Sequence, residues 1–175
     1  MNGELILLSR SILRPLVVAD APALSRHGNN HNIWINTFGL PYPFTVEVCE
    51  QWIDEKLQNQ SRILLAIEVA GEAAGCIVLT VHPEPKSHSA EVGYWLAETY
   101  WNRGIVTEAL AAVTTYGFVH HHLARIQALV LADNMASMRV LEKCGYVREG
   151  TVRKSIQKDG RLYDLALYAT FQQIE

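Results

Sequence analysis

The sequence predicts an α/β protein in which helices cover a mixed β-sheet. Three observations lead there. Arg62–Val69, residues 75–81 and residues 91–96 are successive aliphatic runs broken by turn residues, which read as a meander of strands. Residues 104–120 then repeat apolar positions at i+4, and residues 126–132 form another aliphatic run. That strand–helix–strand order calls for a crossover and a parallel pair. Finally, Asp159-Gly160 sits between two more strand-like runs, residues 151–157 and 162–168, and marks a hairpin. A chain of 175 residues favours one domain, here 1–175, with a core over about residues 11–170.

Each element has a local cause. Residues 12–16 read as a first strand, stopped near Pro15. Asp20 is placed to cap a helix opening at Ala21-Pro22, since proline is tolerated in a first turn. Residues 28–44 are rich in Asn, Gly and Pro and read as loop with one helical turn. Thr45 then caps an amphipathic helix carrying Val48, Trp52, Ile53 and Leu57 on its apolar side. Gly71 turns the first hairpin of the meander, and Pro83 and Pro85 break its second strand. In the long helix, Ile105, Ala109, Val113 and Gly117 share one face. Residues 134–144 are a second amphipathic helix, with Gly145 where a C′ residue favours glycine.

Composition narrows the function. Hydrophobic residues make up 49% and charged residues 19%, which fits a folded soluble domain. A net charge of −3 argues against nucleic-acid binding, which needs a basic face. Residues 1–11 lack the pattern of a signal peptide, and no run approaches the roughly 18 apolar residues of a membrane span. The expectation is a cytoplasmic protein without membrane contact, monomeric or homodimeric. Cys49, Cys76 and Cys144 are odd in number and far apart, which fits reduced thiols. Asn59-Gln60-Ser61 matches a glycosylation sequon, but without an export signal it reads as chance. His120, His121 and His122 project about 100° apart on a helix, so they do not converge on a metal.

The chemistry concentrates after residue 91. Glu91-Val-Gly-Tyr94-Trp95-Leu96 runs into Trp101-Asn-Arg103-Gly104-Ile105-Val106-Thr107, a strand leading by a short loop into a helix start. Unpaired N–H groups and the positive end of the macrodipole make such a start an anion site. Gly104 permits close backbone approach and Arg103 adds a charged donor. The same residues also suit an ordinary capped core helix. Asn134 and Ser137 likewise read, on their own, as an N-cap and a first-turn residue.

These segments resemble the GCN5-related N-acetyltransferases. The resemblance rests on Trp101-Asn-Arg-Gly-Ile-Val-Thr-Glu-Ala109, Arg125-Ile126, Asn134 through Tyr146, and Glu149-Gly150. Leu13-Arg14-Pro15-Leu16, Pro41-Tyr42-Pro43-Phe44-Thr45 and Gly160-Arg161-Leu162-Tyr163-Asp164 are similar to the RimJ/RimL branch, which acetylates ribosomal-protein N-termini. The resemblance spans about residues 11–170. It implies an α+β, three-layer acyl-CoA N-acyltransferase fold, a mostly antiparallel sheet of about seven strands with a splayed parallel pair and about four helices.

The resemblance also implies acetyl-CoA as co-substrate, an amine as acceptor, and no metal. The phosphate loop of the family aligns with Trp101, Gly104 and Val106, the first and last departing from its Arg/Gln and Gly/Ala. The backbone of Arg103, Gly104, Ile105, Val106 and Thr107 would bind the pyrophosphate, with the Thr107 hydroxyl. The main chain of Tyr94, Trp95 and Leu96 would hold pantetheine and stabilise the oxyanion, an effect typically worth about 3 kcal/mol. Asn134 would bind pantetheine. The general-acid tyrosine of the wider superfamily falls on Leu141, so Ser137 takes that role. A branch glutamate falls on Ile156, which leaves Glu91 as first candidate base, ahead of His88 and His31. Trp34, Phe38, Tyr42 and Phe44 are either satellite core or walls of the acceptor pocket; the family places acceptor segments there. Asp164 is expected to order the last hairpin. A CoA-binding module without catalysis, or an acetyltransferase of small-molecule amines such as polyamines or antibiotics, are the rival expectations.

Overall fold

The structure, a computed structural model, describes residues 5–172. One sheet of eight strands forms its centre, in the order β1-β2-β3-β4-β5-β6-β8-β7. The strands are β1 Ile6–Leu7, β2 Ile12–Pro15, β3 Arg62–Val69, β4 Glu72–Val81, β5 Ser89–Leu96, β6 Arg125–Leu131, β7 Val147–Lys158 and β8 Arg161–Phe171. Every adjacent pair is antiparallel except β5 and β6. The helices are α1 Ala21–Gly28, α2 His31–Ile35, α3 Val46–Leu57, α4 Ile105–His120 and α5 Met135–Lys143. Strand β1 was not foreseen, because two residues are too few for a periodic signal.

Alternation along the strands sorts two cores. Leu65, Ile77, Leu79, Val92 and Ile126 face α4 and α5, meeting Ala109, Val113 and Leu141. Leu64, Ala66, Cys76 and Trp95 face the other way, against Leu24, Ile33, Phe44 and Ile53 of the α1–α3 layer. The expected helix stripe of Ile105, Ala109, Val113 and Gly117 is buried. Where β4 passes β5, a Cβ on Gly75 would stand 2.2 Å from the Trp95 carbonyl oxygen, so only glycine fits.

The caps explain the boundaries. Thr45 Oγ1 accepts from the Val48 N–H at 3.3 Å. Asn134 Oδ1 accepts from Ser137 N–H at 3.0 Å, and Gly145 follows α5 at φ 79°. Asp159 (φ 47°) and Gly160 (φ 74°) make the final turn, and Asp164 Oδ1 braces that hairpin by accepting the Lys154 N–H at 2.7 Å. Asp20 corrects the expectation. It stands before α1, but its carboxylate turns back to the Val17 N–H and receives Arg14 through two guanidinium nitrogens at 2.8 and 2.6 Å. Arg14 also bonds Glu68 at 2.6 Å, joining β2, β3 and the start of α1. These carboxylates raise the Arg14 pKa further above its ordinary value, against an opposing effect of burial.

The three cysteines are free. Burial pushes Cys49 and Cys76 up to about 12, so both stay thiols at neutral pH. Among the described residues no helix is long and apolar enough to cross a membrane.

Replacing Arg14 by Met leaves the Asp20 carboxylate, whose side chain is only 9% exposed, without its counter-ion. Urea denaturation is expected to show a loss of about 3 kcal/mol. A loss below about 1 kcal/mol would mean the cluster is merely a surface pair.

Candidate active site

The site begins where two strands part. β5 and β6 pair only through Ser89↔Arg125, Ala90↔Ile126 and Glu91↔Gln127. Beyond that point β5 stays on β4 as far as Leu96, and β6 stays on β8 as far as Leu131. Each strand is held on its outer flank, so a wedge opens between them. The Ala97 N–H donates to Ala74 O at 2.7 Å. By the alternation of an antiparallel pair, the N–H and C=O of Val92, Tyr94 and Leu96 therefore point into the wedge, and those of Trp95 point to β4. Of the three residues expected to offer main chain, Tyr94 and Leu96 face the gap. Trp95 buries its ring in the α1–α3 core, 7% exposed.

The loop after β5 is pinned to the strand end. Trp101 occupies the position where the family carries Arg or Gln, and its indole N–H donates to Leu96 O at 2.8 Å. Asn102 (φ 59°) and Gly104 (φ 77°) then turn the chain into α4. No side chain caps the helix, and among the described residues the N–H groups of Arg103 through Thr107 meet no acceptor. Five amides and a helix dipole thus converge on open space. The Arg103 side chain lies over the Tyr100 ring, 5.5 Å from its centroid. A cation the sequence did not flag also stands here: Arg10 Nη1 lies 2.9 Å from where a Gly104 Cβ would stand, and bonds Glu108 at 3.2 Å.

Across the wedge stands the start of α5. Tyr94 and Ser137 share a hydroxyl–hydroxyl bond of 2.8 Å. Burial raises the Tyr94 pKa well above the ordinary phenol value, and the bond to Ser137 lowers it less. The phenol therefore keeps its proton at neutral pH and can donate to Ser137. Sequence reasoning used only the main chain of Tyr94. The period-2 pattern Val92, Tyr94, Leu96 was the signal that its ring points toward α5. Leu141, where the wider superfamily has its acid, is wholly buried in the core.

On the opposite face a polar row crosses the sheet in register: Arg62 on β3, Thr80 on β4, Glu91 on β5 and Gln127 on β6. Gln127 Nε2 donates to Glu91 at 3.3 Å, and Arg125 bonds Gln127 at 3.3 Å while it grips Glu149 through two nitrogens at 2.7 and 2.6 Å. Glu91 is thus oriented from β6. The next row, Leu64, Val78 and Gly93, is apolar and ends in a residue without a side chain. Phe38 lines the space above. Trp34 and Tyr42 instead pack with His31, at centroid distances of 5.3 and 5.9 Å, outside the cavity. Phe44 is fully buried between Trp52 and Trp95. Of these four aromatic residues, Phe38 alone lines the cavity, and Phe44 belongs to the core. The α2 segment is tied down by Lys158, whose ammonium donates to Trp34 O and to Thr37 O, and by the Trp52 indole on Gly39 O at 2.8 Å.

The wedge opens on one cavity of about 740 Å³. It reaches the α4 start, the α5 start and Glu91, and so passes through the sheet by way of the wedge. His31 lies outside it, and His88 lines a separate pocket with His82 and Arg125. Among the described residues no group of three or more His, Cys, Asp or Glu converges as a metal site would.

The chain is similar to known proteins in sequence and in fold. The N-acetyltransferase YoaA of Bacillus subtilis is 38% identical over 84 residues, a stretch that is 48% of each chain, so the protein spans about half the length of this relative. The N-acetyltransferase p20 of Bacillus licheniformis is 25% identical over 97% of both chains. The solved structure of Mycobacterium smegmatis RimJ in complex with CoA-disulfide superposes with a TM-score of 0.83 at 27% identity, covering 92% of this chain and 81% of that one. Residues 10–147 match the acetyltransferase (GNAT) domain family, and to that family the chain belongs.

Proposed function

We propose that the protein transfers an acetyl group from acetyl-CoA to a primary amine, by direct attack in a ternary complex. One observation carries this reading. A single cavity joins a cluster of unsatisfied amides on one side of the sheet to an oriented carboxylate on the other, through an open strand edge.

The residues present fit the co-substrate. Diphosphate oxygens match the five free N–H groups at the start of α4, with Arg10 and the Thr107 hydroxyl beside them. An amide-bearing pantetheine arm matches the unpaired edge of β5 as an added strand would. Acetyl-CoA supplies an acyl carbon activated by a thioester. Everything else falls to the chain. The edge N–H groups of Tyr94 and Leu96 are fixed donors for a carbonyl oxygen gaining charge. Ser137, backed by the Tyr94 phenol, holds a proton near the wedge for a departing thiolate. Glu91, held by Gln127, accepts the proton that an ammonium acceptor loses before attack, directly or through water. Gly93 leaves room on the acceptor side. The likeness to RimJ supports a protein N-terminal α-amine among the acceptors to be tried.

The direct test is release of CoA thiol on mixing acetyl-CoA with N-terminal peptides, amino acids and polyamines. No thiol with any of them would overturn the reading. Glu91→Gln is expected to lower kcat about 100-fold while acetyl-CoA affinity, read by calorimetry, holds. An unchanged kcat would remove Glu91 as base. Ser137→Ala and Tyr94→Phe are each expected to lower kcat about tenfold, and the double variant no more than the worse single, because the hydroxyls act as a unit. Additive losses in single-turnover measurements would separate them.

A further inference from the structure

The acceptor end of the cavity carries two cations that pair with no carboxylate among the described residues. Lys56 near the end of α3 and Arg62 at the start of β3 both line it, and both are half-buried. Neither forms an ion pair with any described residue. The Lys56 ammonium lies 5.7 Å from the centre of the Trp52 ring. Burial lowers its pKa, and Arg62 is close enough to lower it again. The acids nearby do not answer this charge. Glu55 precedes Lys56 in sequence and only partly offsets it. Glu91 shares the row of Arg62, but Thr80 stands between them, a separation of about 10 Å for two strand spacings. Two like charges drawn together on a partly dehydrated wall are unfavourable until an anion joins them.

We propose that Lys56 and Arg62 form a carboxylate-binding subsite, so that the preferred acceptor is a primary amine that also carries a carboxylate. This rests on the acetyl-transfer reading above and narrows its substrate class. The amine faces Glu91 and the wedge, the apolar part of the acceptor lies against Phe38 and Trp52, and the carboxylate lies between the two cations. A free amino acid supplies that chemistry, and so does a peptide whose second residue is acidic.

Calorimetry on the CoA-loaded protein tests the subsite without needing turnover. Two matched pairs serve as probes: leucine against leucinamide, and the amidated peptide Ser-Asp-Ala against amidated Ser-Asn-Ala. In at least one pair the carboxylate is expected to bind about tenfold tighter, the effect of one charge-assisted hydrogen bond. The pair that shows the preference identifies the source. Lys56→Gln with Arg62→Gln is expected to bring that ratio close to one, and each single substitution to remove part of it, which keeps the test open should the double variant not fold. Equal binding within both pairs overturns the proposal, as does a preference that survives in a cooperatively melting variant. Thiol release in the same mixtures reports separately. Tight carboxylate binding without thiol release would remove the transfer reading and leave the subsite standing. Release at equal rates from carboxylate and amide, with equal binding, would do the reverse.

Discussion

The parting of β5 from β6 after Glu91↔Gln127 is the constraint on which the rest of the molecule depends. A sheet normally satisfies its own amides, and leaving buried backbone groups unpaired costs free energy. Here the cost is imposed by the flanks. β4 holds β5 to its last residue and β8 holds β6 to its last residue, so neither strand can swing across to close the gap. Trp101 ties the following loop to the Leu96 carbonyl, which keeps that strand end from fraying. The wedge is therefore stable while its inner edge is unsatisfied. That combination suits a ligand able to pair with backbone.

The wedge also lets the two faces of one sheet divide the chemistry. Because successive side chains alternate, Tyr94 reaches Ser137 on the α4–α5 side while Glu91 and Gly93 face the α1–α3 side. The α4 start presents backbone amides, whose geometry does not depend on side-chain identity, which is how Trp101 and Val106 can stand where the family pattern differs. The opposite side is built from side chains on β3, β4, β5 and α3, and the proposed acceptor selectivity falls on the row that begins with Arg62 and ends with Gln127.

Much of the fold was legible because its signals are local. Asp159-Gly160, Gly145, Thr45 and Asn134 each mark a boundary through their own backbone preference or hydrogen bond, and the structure uses them so. Asp20 misled because a tertiary partner, Arg14, outcompetes the helix amides for its carboxylate. The site was legible along the stretch from β5 into α4, where one continuous segment carries both strand edge and helix start. It was not legible where residues distant in sequence meet. Nothing in residues 28–44 says that Phe44 is swallowed by Trp52 and Trp95 while Phe38 is left at the cavity. Nothing in the spacing of Arg10 or Lys56 announces the α4 start or the acceptor wall. Those placements depend on packing angles between layers, which periodicity does not encode.

The Tyr94–Ser137 pair shows how the site accommodates a departure from the family pattern. The superfamily acid would sit one face-turn further along α5, at Leu141, yet that position here packs into the main core and is closed to the wedge. A hydroxyl at Ser137 alone is short and has a high intrinsic pKa, so it donates weakly. Joined to a phenol at 2.8 Å, it becomes one member of a hydroxyl pair whose hydrogen bonds polarise one another. The phenol itself comes from β5, the strand whose edge lines the wedge. One element thus carries both the open backbone edge of the wedge and the phenol that meets Ser137. Their relative positions are then fixed by the pleat of a single strand, a stiffer reference than two helices packed across a core.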